Sequence, residues 1–283
     1  MYNMYRLSST RELAIQDEEA DTHDAVLYGG IDYSTDVSVM QNESNLVRNA
    51  YTRGTAVNFF TETSQSDKAP WQRLEGTKDE VETILSLLDA SGYSTTLYSG
   101  DNAVEETFKA LSGQKKSIIH VATHGFYMNE GREVSEELSL ERSGLILAGA
   151  NNHWLGDVLP EGLEDGILTA KEISVMDLEG TGLVVLSACQ TGLGDVSGEG
   201  VFGLQRAFKK AGSKTLVVSL WEVDDNAAKT MMIEFYSNLA KGYSKRDAFR
   251  KAQSALMGCM FLKNGVPTSG SDPYFWASFV MID

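Results

Sequence analysis

Gly182-Leu183-Val184-Val185-Leu186-Ser187-Ala188-Cys189-Gln190-Thr191-Gly192 sets an unbroken apolar run directly against a polar turn containing glycine. An apolar run this short, closed by a turn, reads as a strand buried on both faces in the middle of a parallel sheet. Cys189 stands where that strand ends, and in open α/β sheets reactive groups collect at the carboxyl ends of central strands.

Two further stretches repeat the design. Ser117-Ile118-Ile119-His120-Val121-Ala122-Thr123-His124-Gly125 is apolar and ends in histidine and glycine, and Lys214 to Leu220 runs into Trp221-Glu222-Val223-Asp224-Asp225. Strands are also expected at Ala25–Tyr33, Tyr93–Tyr98, Gly144–Gly149 and Trp276–Ile282. Gly29-Gly30 marks a bulge or a close backbone approach. Helical patterns lie between the strands. Thr77 and Glu80 have capping-box spacing ahead of Val81, Ile84, Leu85 and Leu88. Thr169–Val175 reads as a short capped helix, and Asp225 or Asn226 is placed to cap a helix reaching about Leu239. This alternation predicts an α/β fold with a mostly parallel central sheet of about six strands and helices on both faces.

The chain has 283 residues, 42% of them hydrophobic, which suits one large α/β domain with a proper core. Residues 1–23 are read as an N-terminal extension and 24–283 as a single domain. The polar, weakly patterned stretch 34–70 is expected to be a long loop insertion. The formal net charge of −16 speaks against a nucleic-acid partner. No apolar run approaches the roughly 18 residues of a membrane span. The two cysteines, Cys189 and Cys259, form no C-x-x-C pair, so a reducing, cytoplasmic setting is expected. The four histidines, His23, His120, His124 and His153, combine with them into no zinc pattern, and no metal or cofactor is expected.

If the His124 and Cys189 strands are neighbours, their backbones lie about 4.8 Å apart and both side chains lean over one sheet edge. An imidazole there lowers the thiol pKa from its ordinary value near 8.5 and makes the sulfur a nucleophile. The N–H groups of Gly125 and Cys189 would form an oxyanion hole. Spacing alone leaves this reading level with a small buried cysteine and a hydrogen-bonded structural histidine. His120, inside its strand, is read as structural. Gly192 to Gly200 suits a nucleotide-binding turn in context, but its glycines miss the G-x-G-x-x-G spacing.

Five ordered motifs then decide. Ser-Ile-Ile-His-Val-Ala-Thr-His-Gly-Phe (117–126), Glu-Asp-Gly-Ile-Leu-Thr-Ala-Lys-Glu-Ile (164–173), Leu-Val-Val-Leu-Ser-Ala-Cys-Gln-Thr-Gly-Leu-Gly (183–194), Gly-Glu-Gly-Val-Phe-Gly-Leu-Gln-Arg-Ala-Phe (198–208) and Ser-Leu-Trp-Glu-Val-Asp-Asp (219–225) resemble the CHAT domain. That is the bacterial caspase-like domain often found behind tetratricopeptide repeats. The resemblance implies the caspase-hemoglobinase fold and a cysteine endopeptidase with His124 as base and Cys189 as nucleophile. It implies Gly125 and Cys189 as oxyanion amides. Ser187, Trp221, Asp224 and Asp225 are implied as lining the S1 pocket. Asp224 and Asp225 suit a basic P1 residue, whereas the position four beyond Asp225, acidic in separase-like sequences, is Lys229. A protein substrate in a defence or signalling pathway is expected. No repeats are present in the sequence, so either it is a fragment of a longer protein or a separate activator or repeat-containing partner serves it. The alternative is a catalytically silent scaffold that docks a peptide or partner.

Overall fold

A computed structural model of the chain describes residues 22–50, 69–128, 140–187, 196–197, 200–201, 203–222 and 224–283. Residues 1–21 of the expected N-terminal extension and Cys189 lie outside these residues.

The centre is a six-stranded sheet in the order β13-β10-β7-β3-β1-β2. Its strands are β1 (Asp24–Ile31), β2 (Ser94–Gly100), β3 (Ile118–Val121), β7 (Leu183–Leu186), β10 (Thr215–Ser219) and β13 (Phe279–Ile282). All neighbours pair parallel except β13, which runs antiparallel to β10. Successive strand residues point to opposite faces, and both faces are covered. Val26, Tyr28, Ile119, Val121, Val184 and Leu186 belong to one buried cluster. Onto that cluster pack α3 (Glu105–Lys109), α4 (Ala150–Trp154), α5 (Ala170–Ser174) and α6 (Leu204–Lys210). Ala25, Leu27, Ile118, Leu183, Val185 and Val217 belong to the other, beneath α2 (Glu75–Ala90), α7 (Asp225–Ala240), α8 (Lys245–Leu256) and α9 (Pro273–Trp276). Each large apolar side chain fully buried this way contributes about 1.5–3 kcal/mol.

Smaller ladders decorate the frame. An antiparallel sheet holds β4 (Gly125–Tyr127), β5 (Ser143–Ile146) and β6 (Ile167–Thr169) in the order β4-β5-β6. The apolar run at 144–149 therefore supplies an antiparallel side strand instead of a member of the central sheet. Two short hairpin ladders complete the set, β8 (Val196–Ser197) with β9 (Gly200–Val201), and β11 (Met260–Lys263) with β12 (Val266–Ser269).

The expected loop at 34–70 contains a helix, α1 (Val37–Ala50). Its sequence is rich in Asn, Ser, Gln and Glu, so no continuous apolar stripe advertises it. Tertiary contacts hold it instead. Met40 is buried in the core and Arg48 donates to the Gly162 carbonyl. Residues 51–68 lie outside the described residues. Thr77 and Glu80 form no capping box either. Helix α2 begins earlier, with Leu74 at its N-cap, and the Thr77 hydroxyl accepts from the Gly30 N–H. A capping box is present at Thr169 and Glu172, at the start of α5. The cap of α7 is Asp224, one residue before the expected pair.

Gly29 and Gly30 do what their position suggests. The β1–β2 register shifts between Tyr28 and Ile31. A Cβ on Gly29 would sit 2.6 Å from Val81 Cγ1, and Gly30 has φ 62°. The missing side chains let the first turn of α2 close onto β1.

Candidate active site

Winding reverses between β1 and β3, because β2 lies on one side of β1 and β3, β7 and β10 on the other. The carboxyl ends of strands at such a reversal form a crevice. Tyr33 follows β1 into it and His124 follows β3.

The turn carrying His124 is tied at both ends. The Ala122 N–H donates to the Tyr28 carbonyl at 2.7 Å and the Ile146 N–H donates to the His124 carbonyl at 3.0 Å. The Thr123 hydroxyl gives its one proton to the Ile146 carbonyl, so the Tyr33 hydroxyl, 3.0 Å away, is the donor to Thr123 Oγ1. Burial pushes the Tyr33 hydroxyl pKa up to about 12, which keeps that proton in place.

The His124 ring lies between Tyr33 and Trp71, with both centroids 5.1 Å away. Its Nε2 is 2.7 Å from the Gln72 carbonyl oxygen. A carbonyl only accepts, so Nε2 carries the proton, and a neutral ring then presents Nδ1 as its basic nitrogen. Burial lowers the His124 pKa below its ordinary value, against the opposing pull of the Gln72 carbonyl and the Asp225 and Glu222 carboxylates. Burial thus favours the neutral form of the ring.

The Gln72 carbonyl is itself positioned. Asn151 on α4 clamps the preceding residue: its Oδ1 accepts from the Trp71 N–H at 2.8 Å and its Nδ2 donates to the Trp71 carbonyl at 3.1 Å. Trp154, one turn on, donates its indole N–H to the Ala69 carbonyl. Replacing Asn151 by alanine removes both bonds, each worth about 1 kcal/mol, and frees the strap at Gln72. In Asn151→Ala the Nε2–H tautomer of His124 is expected to lose its dominance, read from the imidazole 15N shifts. Unchanged 15N shifts would dismiss the clamp.

On the neighbouring strand, Val121 pairs with Leu186 and the Ser187 N–H donates to the Val121 carbonyl at 2.9 Å. The expected adjacency of the two strands is present, and β7 ends at the same sheet edge as the His124 turn. Cys189, two residues further, lies outside the described residues. Gly125 directly follows His124 and opens β4.

Beside the turn is a small pocket open to solvent. Thr123, Ser187, Ser219, Glu80 and Asp225 supply its polar lining, and Leu74, Ala228 and Phe279 its apolar wall. Of the residues expected in an S1 pocket, Ser187 and Asp225 are brought together here. Asp224 is engaged elsewhere, its carboxylate accepting from the Asn226 and Ala227 N–H groups as the cap of α7. Trp221 donates its indole N–H to the Tyr274 carbonyl and does not line the pocket. Gln72, Trp71 and Asn151 carry no sequence motif, and Glu80 was read only as part of a capping box.

Away from the crevice, Glu105, Glu164 and Glu172 bring carboxylate oxygens within 4.8 Å of one another, a spacing that suits a cation. The chain supplies that cation: Lys109 Nζ lies 2.7, 2.7 and 2.9 Å from the three.

A parallel sheet wound this way, with an imidazole over its carboxyl edge, is the frame of the caspase-like cysteine proteinases. The solved structure of the Arg-specific cysteine proteinase gingipain R superposes with a TM-score of 0.50 at 10% identity, covering 92% of this chain and 46% of that one. The chain belongs to the CHAT domain family, whose model matches residues 1–283. Human tetratricopeptide repeat protein 28 is 32% identical over 206 residues, 73% of this chain and 7% of that protein. The chain thus spans less than half the length of either relative. No helix among the described residues is long and apolar enough to cross a membrane.

Proposed function

We propose that this chain is a cysteine endopeptidase in which Cys189 is the nucleophile and His124 the base. The observation that carries the reading is the Nε2 bond from His124 to Gln72, which leaves Nδ1 as the proton acceptor at the sheet edge where β7 ends. The Cys189 thiol passes its proton to Nδ1, and the sulfur attacks the carbonyl carbon of a peptide bond. The N–H groups of Gly125 and Cys189 receive the oxyanion. Collapse breaks the C–N bond, and the imidazolium protonates the departing amine. Water, deprotonated by His124, then hydrolyses the thioester and restores the thiol.

The substrate is a protein, and activity is under the control of an activator or a repeat-containing partner. The repeat protein among the relatives supports that setting. A peptide library varied at P1, incubated with wild type and Cys189→Ala, tests the chemistry. Cleavage by wild type is expected to fall by at least about 10³-fold in the variant. Equal cleavage by both proteins would overturn the assignment.

A further inference from the structure

Strand β1 leaves the sheet through the irregularity at Gly29-Gly30, where its register with β2 shifts. In an unbroken strand residues 28 and 31 face opposite sides. Here Tyr28, Ile31 and Tyr33 all enter the same buried cluster, because the irregularity adds one residue to the alternation. Tyr33 is thereby carried beneath the His124 turn, where it is only 2% exposed. Its carbonyl accepts from the Asn151 N–H at 2.9 Å, and the Asp32 carbonyl before it accepts from the Gly149 N–H at 3.1 Å. Asn151 Nδ2 also donates to Ser34 Oγ at 2.9 Å. The same asparagine clamps Trp71. Both rings that flank His124 are therefore carried on segments tied to the start of α4.

The Tyr33 hydroxyl has a task that ring packing does not require. It donates to Thr123 Oγ1 at 3.0 Å, and the His124 backbone N–H turns to the same oxygen. Thr123 passes its own proton to the Ile146 carbonyl. One hydroxyl thus touches both residues that set the direction of the imidazole, and it links β1 through the turn to β5. Apolar packing is non-directional, whereas a chain of buried hydrogen bonds fixes angles. Burial raises the Tyr33 pKa to about 12, so the hydroxyl keeps its proton and is no acid or base at neutral pH. Tyr33 is also absent from the lining of the pocket. Its hydroxyl is placed to orient rather than to react or to bind.

We propose that Tyr33 is a positioning residue of the dyad: through Thr123 and the His124 N–H its hydroxyl sets the imidazole so that Nε2 meets the Gln72 carbonyl and Nδ1 is left as the basic nitrogen. The consequence for catalysis rests on the peptidase reading; the orientation of the ring does not. Phenylalanine at this position would pack against His124 equally well, so the proposal concerns one oxygen atom.

Tyr33→Phe keeps the ring and deletes that oxygen. In the full chain carrying 15N-labelled histidine, the His124 shifts are expected to move from the Nε2–H pattern toward an average of the two tautomers, with cooperative melting retained. In peptide cleavage kcat is expected to fall at least about fivefold while KM changes less than about twofold. Thr123→Val deletes the second hydroxyl, and the double variant Tyr33→Phe/Thr123→Val should lose no more kcat than the worse single variant, because the two hydroxyls act as one unit. Should Tyr33→Phe fail to fold, Thr123→Val is read by the same 15N shifts. Shifts identical to wild type in the folded variant overturn the positioning role. So do a loss carried by KM with kcat intact, and losses that multiply in the double variant. If wild type and Tyr33→Phe both leave a P1-varied peptide library uncut while the His124 shifts still move, the peptidase reading falls and the positioning of the ring stands.

Discussion

His124→Ala is expected to lower kcat/KM by about 10³- to 10⁴-fold while leaving the protein folded. The ring supplies two things on the peptidase reading: a base for the Cys189 proton and, once charged, the acid for the leaving amine. A positioned general acid–base is worth about 10²–10⁴ in rate, and loss of the imidazole also returns the thiol toward its ordinary pKa near 8.5. Folding should survive because the ring is only half-buried, and the turn is held by backbone bonds from Ala122 and Ile146 that need no side chain at 124. The pH profile separates this role from a packing role. With His124 present its lowered pKa keeps the base neutral at and below neutral pH, so alkylation of Cys189 should be fast already at pH 7. In the alanine variant alkylation should rise about tenfold per pH unit through pH 7 and level only above pH 8.5. An identical profile in the two proteins would remove His124 from the dyad.

What was legible in the sequence follows from where burial is symmetric. The β7 run, Leu183 to Leu186, is apolar throughout because helices cover both faces of the sheet, and the β3 run repeats that pattern up to His120. Those two strands and their polar ends announced the crevice. The supports of His124 were not legible, because the Gln72 partner is a backbone carbonyl 52 residues away, and any residue type has one. Asn151 acts on Trp71 across 80 residues of chain through an ordinary amide. Glu80 was hidden by ambiguity: Thr77 and Glu80 fit a capping box by spacing, but His120 offered the carboxylate a buried partner and the helix began a turn earlier. Helix α1 shows no apolar stripe because its stability is borrowed from contacts that its own Met40 and Arg48 make with the core and with Gly162.

The same borrowing makes Lys109 a sensitive position for stability. It is the counter-ion of Glu105, Glu164 and Glu172, and Glu106 and Asp165 are buried beside them. Backbone donors assist: Gly166 N–H to Glu105, Glu164 N–H to Glu106 and Ile167 N–H to Asp165. The cluster thereby fastens the 163–167 segment to α3. It also reaches α4, where His153 lies 3.8 Å from Asp165 on the helix that carries Asn151. Lys109→Met keeps the stem and removes the charge. Breaking a buried ion pair by deleting one partner costs about 3–5 kcal/mol, and here three carboxylates lose their cation together. The pH dependence has a fixed sign. Burial raises the Asp165 pKa from its ordinary 3.8 to about 7, and those of Glu105 and Glu164 also rise. Acids with raised native pKa bind protons more tightly when folded, so their contribution to stability is complete below about pH 4 and is lost as pH climbs through about 7. Without Lys109 those values move higher still, and more protons must leave on raising the pH. Urea unfolding at pH 5 and pH 8 should therefore show a loss of at least about 3 kcal/mol at pH 8 and a clearly smaller one at pH 5. A loss below about 1 kcal/mol, or one equal at both pH values, would mean that Lys109 is not the cation on which this corner of the fold depends.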